Sequence, residues 1–448
     1  MKTHCMTILA TAVLLSASVM SALPAIAAGE PAANASQASD PAAAANAMLD
    51  ELDAGRFDAV SARFSPAMAN AVSADKLKAV WTALPQQFGK FGHRGTARME
   101  HLDSMTVVNI PLTFEHAALE ASIAINPAGK VAGFLVRPAP PPPAVTRSDL
   151  PAHDLRFGPA NHSDLPGTLL LPKGKGPFAA VVFVHGSGPN DRNETVGGTR
   201  VFLDLAEGLA DHGIASLRYD KRTKVHPMEF AAAYTVDNET TDDAVAAVAF
   251  LKIQPGIDPR RIYIVGHSQG AMMAPRIAQR AQGLAGMVLM AAPARHLEDV
   301  VYDQMTFLAK QDDGIDAKEA EQLAQLKGMI GKLKTFGAEV PATTKLLNDL
   351  PASYWRDLRV YDPVAVAKSQ KLPLAILQGD RDFQVTAPDW AGWQAAFGKD
   401  NRVAIHHYPA LNHLFVAGSG PGTPAEYATA GHVDLQPIAD IAAWIKAH

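Results

Sequence analysis

The sequence predicts an α/β domain, a mostly parallel sheet with helices on both faces and a helical insertion, behind a small α+β domain. Three observations carry this prediction. From about residue 150, short runs rich in Val, Ile and Leu alternate with helix-compatible stretches, the rhythm of a buried parallel sheet. Before residue 138, a helical block is followed by alternating segments, the order of an α+β unit. Between the two, "RPAPPPPAVTRS" supplies a stiff polyproline boundary. A chain of 448 residues is also too long for one ordinary hydrophobic core.

The first residues, "MKTHCMTILATAVLLSASVMSALPAIAAGE", read as a signal peptide over 1–28. Lys2 supplies the positive start, the apolar run lies between Met6 and Met20, and Ala25-Ile26-Ala27 forms a small-residue cleavage site. The run is short and ends in Pro24 and small residues, which favours cleavage over a retained anchor. An exported protein, periplasmic or secreted and without a stable membrane anchor, is the expectation. Cys5 is the only cysteine, so the processed chain has no thiol, no disulfide and no Cys-type metal site. Residues 29–45, low-complexity Ala, Ser and Pro, read as a mobile tether. Apolar spacing of three and four then predicts helices from Met48 to about Leu84, with Gly55 and Pro66 as punctuation. "TVVNIPLTFEHAALEASIAI" and "GKVAGFLVRP" follow as antiparallel strands, giving a domain over 46–138 and a linker over 139–149.

The α/β domain spans 150–448. Its predicted strands are "AAVVFVHG", "IASLRYD", "RIYIVGHS", "GMVLMAAP", "LPLAILQGD" and "RVAIHHYP". "TDDAVAAVAFLKI" predicts a helix capped by Thr241 or Asp242, with Val245, Val248 and Leu251 on one face. The rhythm breaks at about 295–360, where "KEAEQLAQLKGMIGKLKTFG" predicts a helical insertion, a candidate lid on the side where site loops emerge.

A formal net charge of −5 with no dense Lys/Arg run argues against a nucleic-acid partner. Neither a Walker loop, a dinucleotide fingerprint nor H-E-x-x-H occurs, so no metal or nucleotide cofactor is expected. The chemistry points instead to Gly266-His267-Ser268-Gln269-Gly270, a G-x-S-x-G match. Three fixed positions recur by chance in about one chain in ten of this size, so context decides. "RIYIV" precedes the motif and the helix-compatible "AMMAPRIAQRAQ" follows, the strand–turn–helix setting that exposes a nucleophilic serine. Such a serine needs a base. His413, in "HHYPALNHLF" after the last strand, is in the right loop, whereas His406 and His407 lie within that strand. "LAILQGDRDFQV" offers Asp380 or Asp382 as the carboxylate that orients the base. "VVFVHGSGPNDR" supplies an oxyanion loop, with the backbone N–H groups of Ser187 and Gln269 as the donor pair. Asp191, Arg192, Asp220, Lys221 and Arg222 are expected to brace these loops. Met272, Tyr354 and Trp355 are candidates to line the substrate pocket, although packing is the plainer use of each.

With "HGSGPNDR", "GHSQG", "GDRD" and "NH" in this order, residues 150–448 resemble the α/β-hydrolases, more narrowly the bacterial enzymes related to dienelactone hydrolases and to cinnamoyl and other carboxylesterases. The resemblance implies a nucleophile at Ser268, a base at His413 and oxyanion donors at Ser187 and Gln269. Its G-x-x-D-x-x-V pattern falls on Gly379, Asp382 and Val385, which implies Asp382 as the acid. Dienelactone hydrolases proper use a cysteine nucleophile; a serine here implies ester hydrolysis. The segment "DAGRFDAVSARFSPAMANAVSADKLKAVW" is similar to the DUF3887 domains that precede such hydrolases, and it brings no catalytic residues. The expected activity is hydrolysis of small-molecule carboxylic esters through an acyl-enzyme. A peptidase or acyltransferase on the same triad, or a non-catalytic binding module of this fold, is the alternative.

Overall fold

A computed structural model describes residues 40–102, 104–139, 147–160, 162, 164–311 and 314–448. The expected signal peptide, the tether up to residue 39 and linker residues 140–146 lie outside the described residues. The chain divides into two compact units.

Among the described residues, the N-terminal unit has helices Pro41–Asp53, Phe57–Ser61, Pro66–Ala71 and Ala74–Phe88. Strands β1 (Phe91–Arg94), β2 (Arg98–Leu102), β3 (Met105–Phe114), β4 (Ala118–Ile125) and β5 (Val131–Pro138) follow as an antiparallel sheet. Alternate residues of β3, among them Val108, Ile110 and Leu112, join Met48, Leu49, Leu52 and Leu77 in one core, as a strand with one covered face requires. The tether reading of residues 41–45 needs correction. Asp40 accepts a hydrogen bond from the Ala42 N–H at 3.0 Å, Pro41 takes the first helical position, and Ala45 is buried. An alanine run behind a capping aspartate and a proline is a strong helix start, so the helix begins within the low-complexity stretch.

In the second unit β6 (Ala152–Phe157), β7 (Leu165–Leu170) and β8 (Phe178–Val184) are followed by a small hairpin, β9 (Thr195–Val196) and β10 (Thr199–Arg200). Then come β11 (Ile214–Tyr219), β12 (Ile257–His267), β13 (Gly286–Met290), β14 (Leu374–Gly379) and β15 (Val403–Tyr408). The main sheet has the order β15-β14-β13-β12-β8-β11-β7-β6, antiparallel where β7 meets β6 and β11 and parallel from β11 to β15. Continuous apolar strands serve both faces. Ala180, Val182 and Val184 of β8 pack into one core with helices Asp242–Leu251 and Gln269–Arg280, while Ala179, Val181 and Phe183 pack into another with Val201–Asp211 and Leu435–Ala447.

The six sequence-predicted strands are present, and the structure adds β6 and β7 to their sheet. Helix Asp242–Leu251 starts differently from the expectation. It continues directly out of a wider turn at Asp237–Thr241, and neither Thr241 nor Asp242 caps it; Thr241 is already helical, so its hydroxyl has no end of helix to close. Residues 297–359 form the inserted helices Leu297–Ala309, Ala317–Thr335 and Ala352–Arg359 between β13 and β14. The topology sets the site. β8 pairs with β11 on one side and β12 on the other, both parallel, so the strand order reverses beside it and a crevice opens at the strands' carboxyl ends.

Candidate active site

Ser268 stands between β12 and helix Gln269–Arg280 with φ +54 and ψ −120. Positive φ is strained for a side chain with a Cβ, and here two tight approaches hold it. A Cβ on Gly270 would lie 2.0 Å from the Val184 carbonyl oxygen, and one on Gly266 would lie 2.5 Å from the Gly270 oxygen. Both glycines of the motif are therefore steric necessities: the helix start is pressed onto the end of β8. The Ser268 N–H donates to the Met290 oxygen at 2.9 Å and its carbonyl accepts from Met272 N–H at 3.0 Å. Its side chain is left half-buried at the mouth of the turn.

His413 and Asp382 meet at 2.7 Å through Nδ1 and Oδ2, both buried. The carboxylate is held on several sides. Its Oδ1 accepts the N–H groups of Gln384 at 2.8 Å and Val385 at 2.9 Å, and its Oδ2 also accepts Gln378 Nε2 at 3.2 Å. Asn412 shapes the histidine loop, its Oδ1 accepting from Leu414 N–H and Val416 N–H. Among the described residues no hydrogen bond joins Ser268 Oγ to the His413 ring, a link that commonly tightens only when substrate is bound.

A second buried histidine binds these loops together. His267 donates from Nε2 to the His413 carbonyl at 2.9 Å, and its ring centroid lies 4.7 Å from that of His413. Its Nδ1 lies 3.0 Å from Glu194 Oε2, an ion-pair contact rather than an aligned hydrogen bond. Glu194 Oε1 in turn accepts the Gly186 N–H at 2.6 Å. Burial alone disfavours both charges, but their mutual attraction outweighs it, raising His267 and lowering Glu194 from their ordinary values. His185 behaves oppositely. Packed at a tilt against Phe202 and edge-to-face against Tyr219, and buried, it is pushed down to about 4 by desolvation, so it is neutral.

The loop at Gly186 and Ser187 lies against the elbow: a Cβ on Gly186 would be 3.2 Å from Ser268 Cβ. Neither Ser187 N–H nor Gln269 N–H has a hydrogen-bond acceptor among the described residues, as free donors of a loop and a helix start would. Asp191 accepts from Asn193 N–H and Thr195 N–H, and Arg192 pairs with Asp220 at 2.9 Å and with Asp154 at 3.1 Å. Lys221 reaches Gly186 O and Glu239, and Arg222 pairs with Asp243.

Sequence reasoning missed Glu194 and Glu239. Nothing in the local pattern marks either; each acquires its role only when distant loops meet.

The three pocket candidates are all buried. Met272 is fully buried in the core of the sheet, and Trp355 is buried with Nε1 donating to Leu347 O at 3.1 Å. Tyr354 is buried too, and its hydroxyl donates to Glu239 Oε2 at 2.6 Å and accepts from Gln269 Nε2. All three therefore serve packing, and Tyr354 and Trp355 also make internal hydrogen bonds. Asp380, the rival acid, pairs instead with His407 at 2.6 Å, and His406 faces Asp440 at 3.4 Å. Among the described residues no cluster of three His, Cys, Asp or Glu side chains is arranged to hold a metal ion, and no helix is long and apolar enough to cross a membrane.

An eight-stranded sheet with this order, and a strained serine at its switch point, define the α/β-hydrolase class. The alpha/beta hydrolase family matches residues 181–430, and the chain belongs to that family. Residues 45–134 match a domain described as a protein of unknown function, DUF3887. Esterase EstD of Thermotoga maritima is 37% identical over 382 residues, which cover 84% of this chain and 88% of that protein. Two solved structures are also similar. Est1E from Butyrivibrio proteoclasticus has a TM-score of 0.44 at 15% identity, over 66% of this chain and 99% of its own. The Pyrococcus furiosus esterase Pf2001 has 0.40 at 17%, over 61% and 90%.

Proposed function

We propose that this chain is an exported serine carboxylesterase that cleaves small-molecule esters through an acyl-enzyme on Ser268. The observation that carries the reading is the buried Asp382–His413 pair at 2.7 Å, in the loops beside a serine held at φ +54. Ester hydrolysis is further supported by the 37% identity to an esterase along most of both chains. Export is supported by the sequence of residues 1–28.

In this mechanism Ser268 Oγ attacks the ester carbonyl carbon while His413 Nε2 takes the hydroxyl proton. Asp382 fixes the ring with Nδ1–H toward its own Oδ2, leaving Nε2 free as the base, and it stabilises the imidazolium that forms. The N–H groups of Ser187 and Gln269 receive the carbonyl oxygen as it gains negative charge. His413 then gives its proton to the departing alcohol. Water, activated by the same histidine, attacks the acyl-enzyme, and collapse releases the acid and restores Ser268. The test is turnover of p-nitrophenyl acetate by Ser268→Ala protein that melts normally. Loss of activity is expected, and near-wild-type turnover would refute the assignment.

A further inference from the structure

We infer that Lys221 is a positioning residue for the oxyanion donors, and that through Glu239 and Tyr354 it ties both of them to the helical insertion. The inference rests on the proposed roles of Ser268, Ser187 and Gln269.

Lys221 and Glu239 are both buried and pair at 2.8 Å. Keeping such a pair is costly, because apolar side chains of the same volume would stabilise the fold as well or better. What distinguishes this one is where its remaining bonds end. Lys221 Nζ donates to the Gly186 carbonyl at 2.9 Å, and Asn190 Nδ2 donates to the same oxygen at 3.1 Å. The Gly186 C=O and the Ser187 N–H are the two ends of one peptide unit. That unit is trans, since the one cis bond among the described residues is Gly176–Pro177. In a planar trans peptide the two groups point in opposite directions, so holding the carbonyl aims the N–H. An ammonium on the carbonyl also polarises the peptide and strengthens its donor. This peptide borders the nucleophile, as the 3.2 Å approach of a Gly186 Cβ to Ser268 Cβ requires.

The second donor is held from the other end of the same pair. Glu239 Oε2 accepts the Tyr354 hydroxyl at 2.6 Å, and Gln269 Nε2 donates to that hydroxyl oxygen. Tyr354 belongs to Ala352–Arg359, the last helix of the insertion. Gln269 therefore contributes more than its backbone: its side chain locks the first turn of its helix to the insertion. Lys221 also anchors the loop by its own N–H, which donates to Asn190 O at 3.0 Å. The arrangement joins oxyanion loop, elbow and insertion in one buried chain of bonds. A fault in it should misplace the donors in the transition state while leaving ground-state binding intact.

The experiment compares full-length wild type with Lys221→Met/Glu239→Gln, which removes both charges so that neither is stranded, and with Tyr354→Phe and Ser268→Ala. The measurements are thermal melting, kcat and KM for p-nitrophenyl acetate, and affinity for phenylboronic acid, whose tetrahedral serine adduct places an oxygen in the oxyanion site. For the double variant kcat should fall roughly 10- to 100-fold with KM within about twofold, and boronate affinity should fall in parallel. A kcat loss of less than about fivefold in folded protein, or a loss carried by KM, would overturn the inference. If the double variant does not fold, Tyr354→Phe, which removes the hydroxyl joining Glu239 to Gln269, decides. A drop in kcat of about threefold or more at unchanged KM supports the inference, and a smaller one overturns it. Full turnover by Ser268→Ala would overturn the nucleophile assignment instead. An inert Ser268→Ala beside a fully active double variant would overturn this inference alone.

Discussion

Two Asp–His pairs flank the end of β14, and they have almost the same length. Asp380 and His407 meet at 2.6 Å, Asp382 and His413 at 2.7 Å. Their surroundings differ. The side chains of the first pair are 48% and 38% exposed, and those of the second are 0% and 4%. Asp380 faces a histidine fixed within a strand, next to Trp390, which stacks on its ring at 5.0 Å. Asp382 has its other lone pairs filled by backbone N–H groups, and its histidine sits on a loop braced by Asn412 and His267. A short Asp–His distance alone is therefore no mark of chemistry. Burial and a fully bonded carboxylate are what fix a tautomer and leave one ring nitrogen as a base.

Substitutions should separate these environments steeply. Ser268→Ala is expected to cost the most, on the order of 10⁵- to 10⁶-fold in kcat for a p-nitrophenyl ester. Asp382→Asn should cost roughly 10⁴-fold, because an amide at that position favours the wrong imidazole tautomer. Asp380→Asn should leave kcat within about twofold, since an exposed pair contributes little. Equal losses from the two aspartate variants would erase the distinction.

Two further effects are structural. Gly270→Ala places a methyl 2.0 Å from a backbone oxygen, and it should destabilise the protein by about 3 kcal/mol or more in denaturant titrations. His185 gives a pH effect of known sign. Burial lowers it from 6.5 to about 4, partly offset by the charge of Glu194. The unfolded chain takes up this proton near 6.5 and the folded chain only near 4. Stability is therefore full above pH 6.5 and is lost as pH falls toward 4, by about 3 kcal/mol in total. Melting curves of His185→Phe should show a correspondingly shallower loss between those pH values. The smallest change belongs to the exposed pair, where Asp380→Asn should shift stability by less than about 1 kcal/mol.

Much of this was legible in the sequence. Six strands announced themselves as apolar runs because both faces of a parallel sheet are buried, and the elbow announced itself because its glycines have no steric substitute. Antiparallel β6 and β7 were harder to see. Ala152–Phe157 is an edge strand with mostly exposed side chains, and it lacks the apolar run that marks the interior. The choice between Asp380 and Asp382 could not be made from local pattern either. Both are loop aspartates in "GDRD", and a family pattern, not their spacing, pointed to the one that meets His413. The use of Met272, Tyr354 and Trp355 was open for a related reason. In sequence, aromatic and Met side chains look alike whether they line a cavity or fill a core. Glu194, Lys221 and Glu239 act through contacts made across the fold, so no short motif could reveal their grouping.

The most direct test of the central claim is site mapping of a fluorophosphonate probe by mass spectrometry, run on the folded wild type and on both aspartate variants. The account predicts a single adduct on Ser268, formed at wild-type rate in Asp380→Asn and orders of magnitude more slowly in Asp382→Asn. Labelling at another residue, or an equally fast reaction in Asp382→Asn, would contradict it.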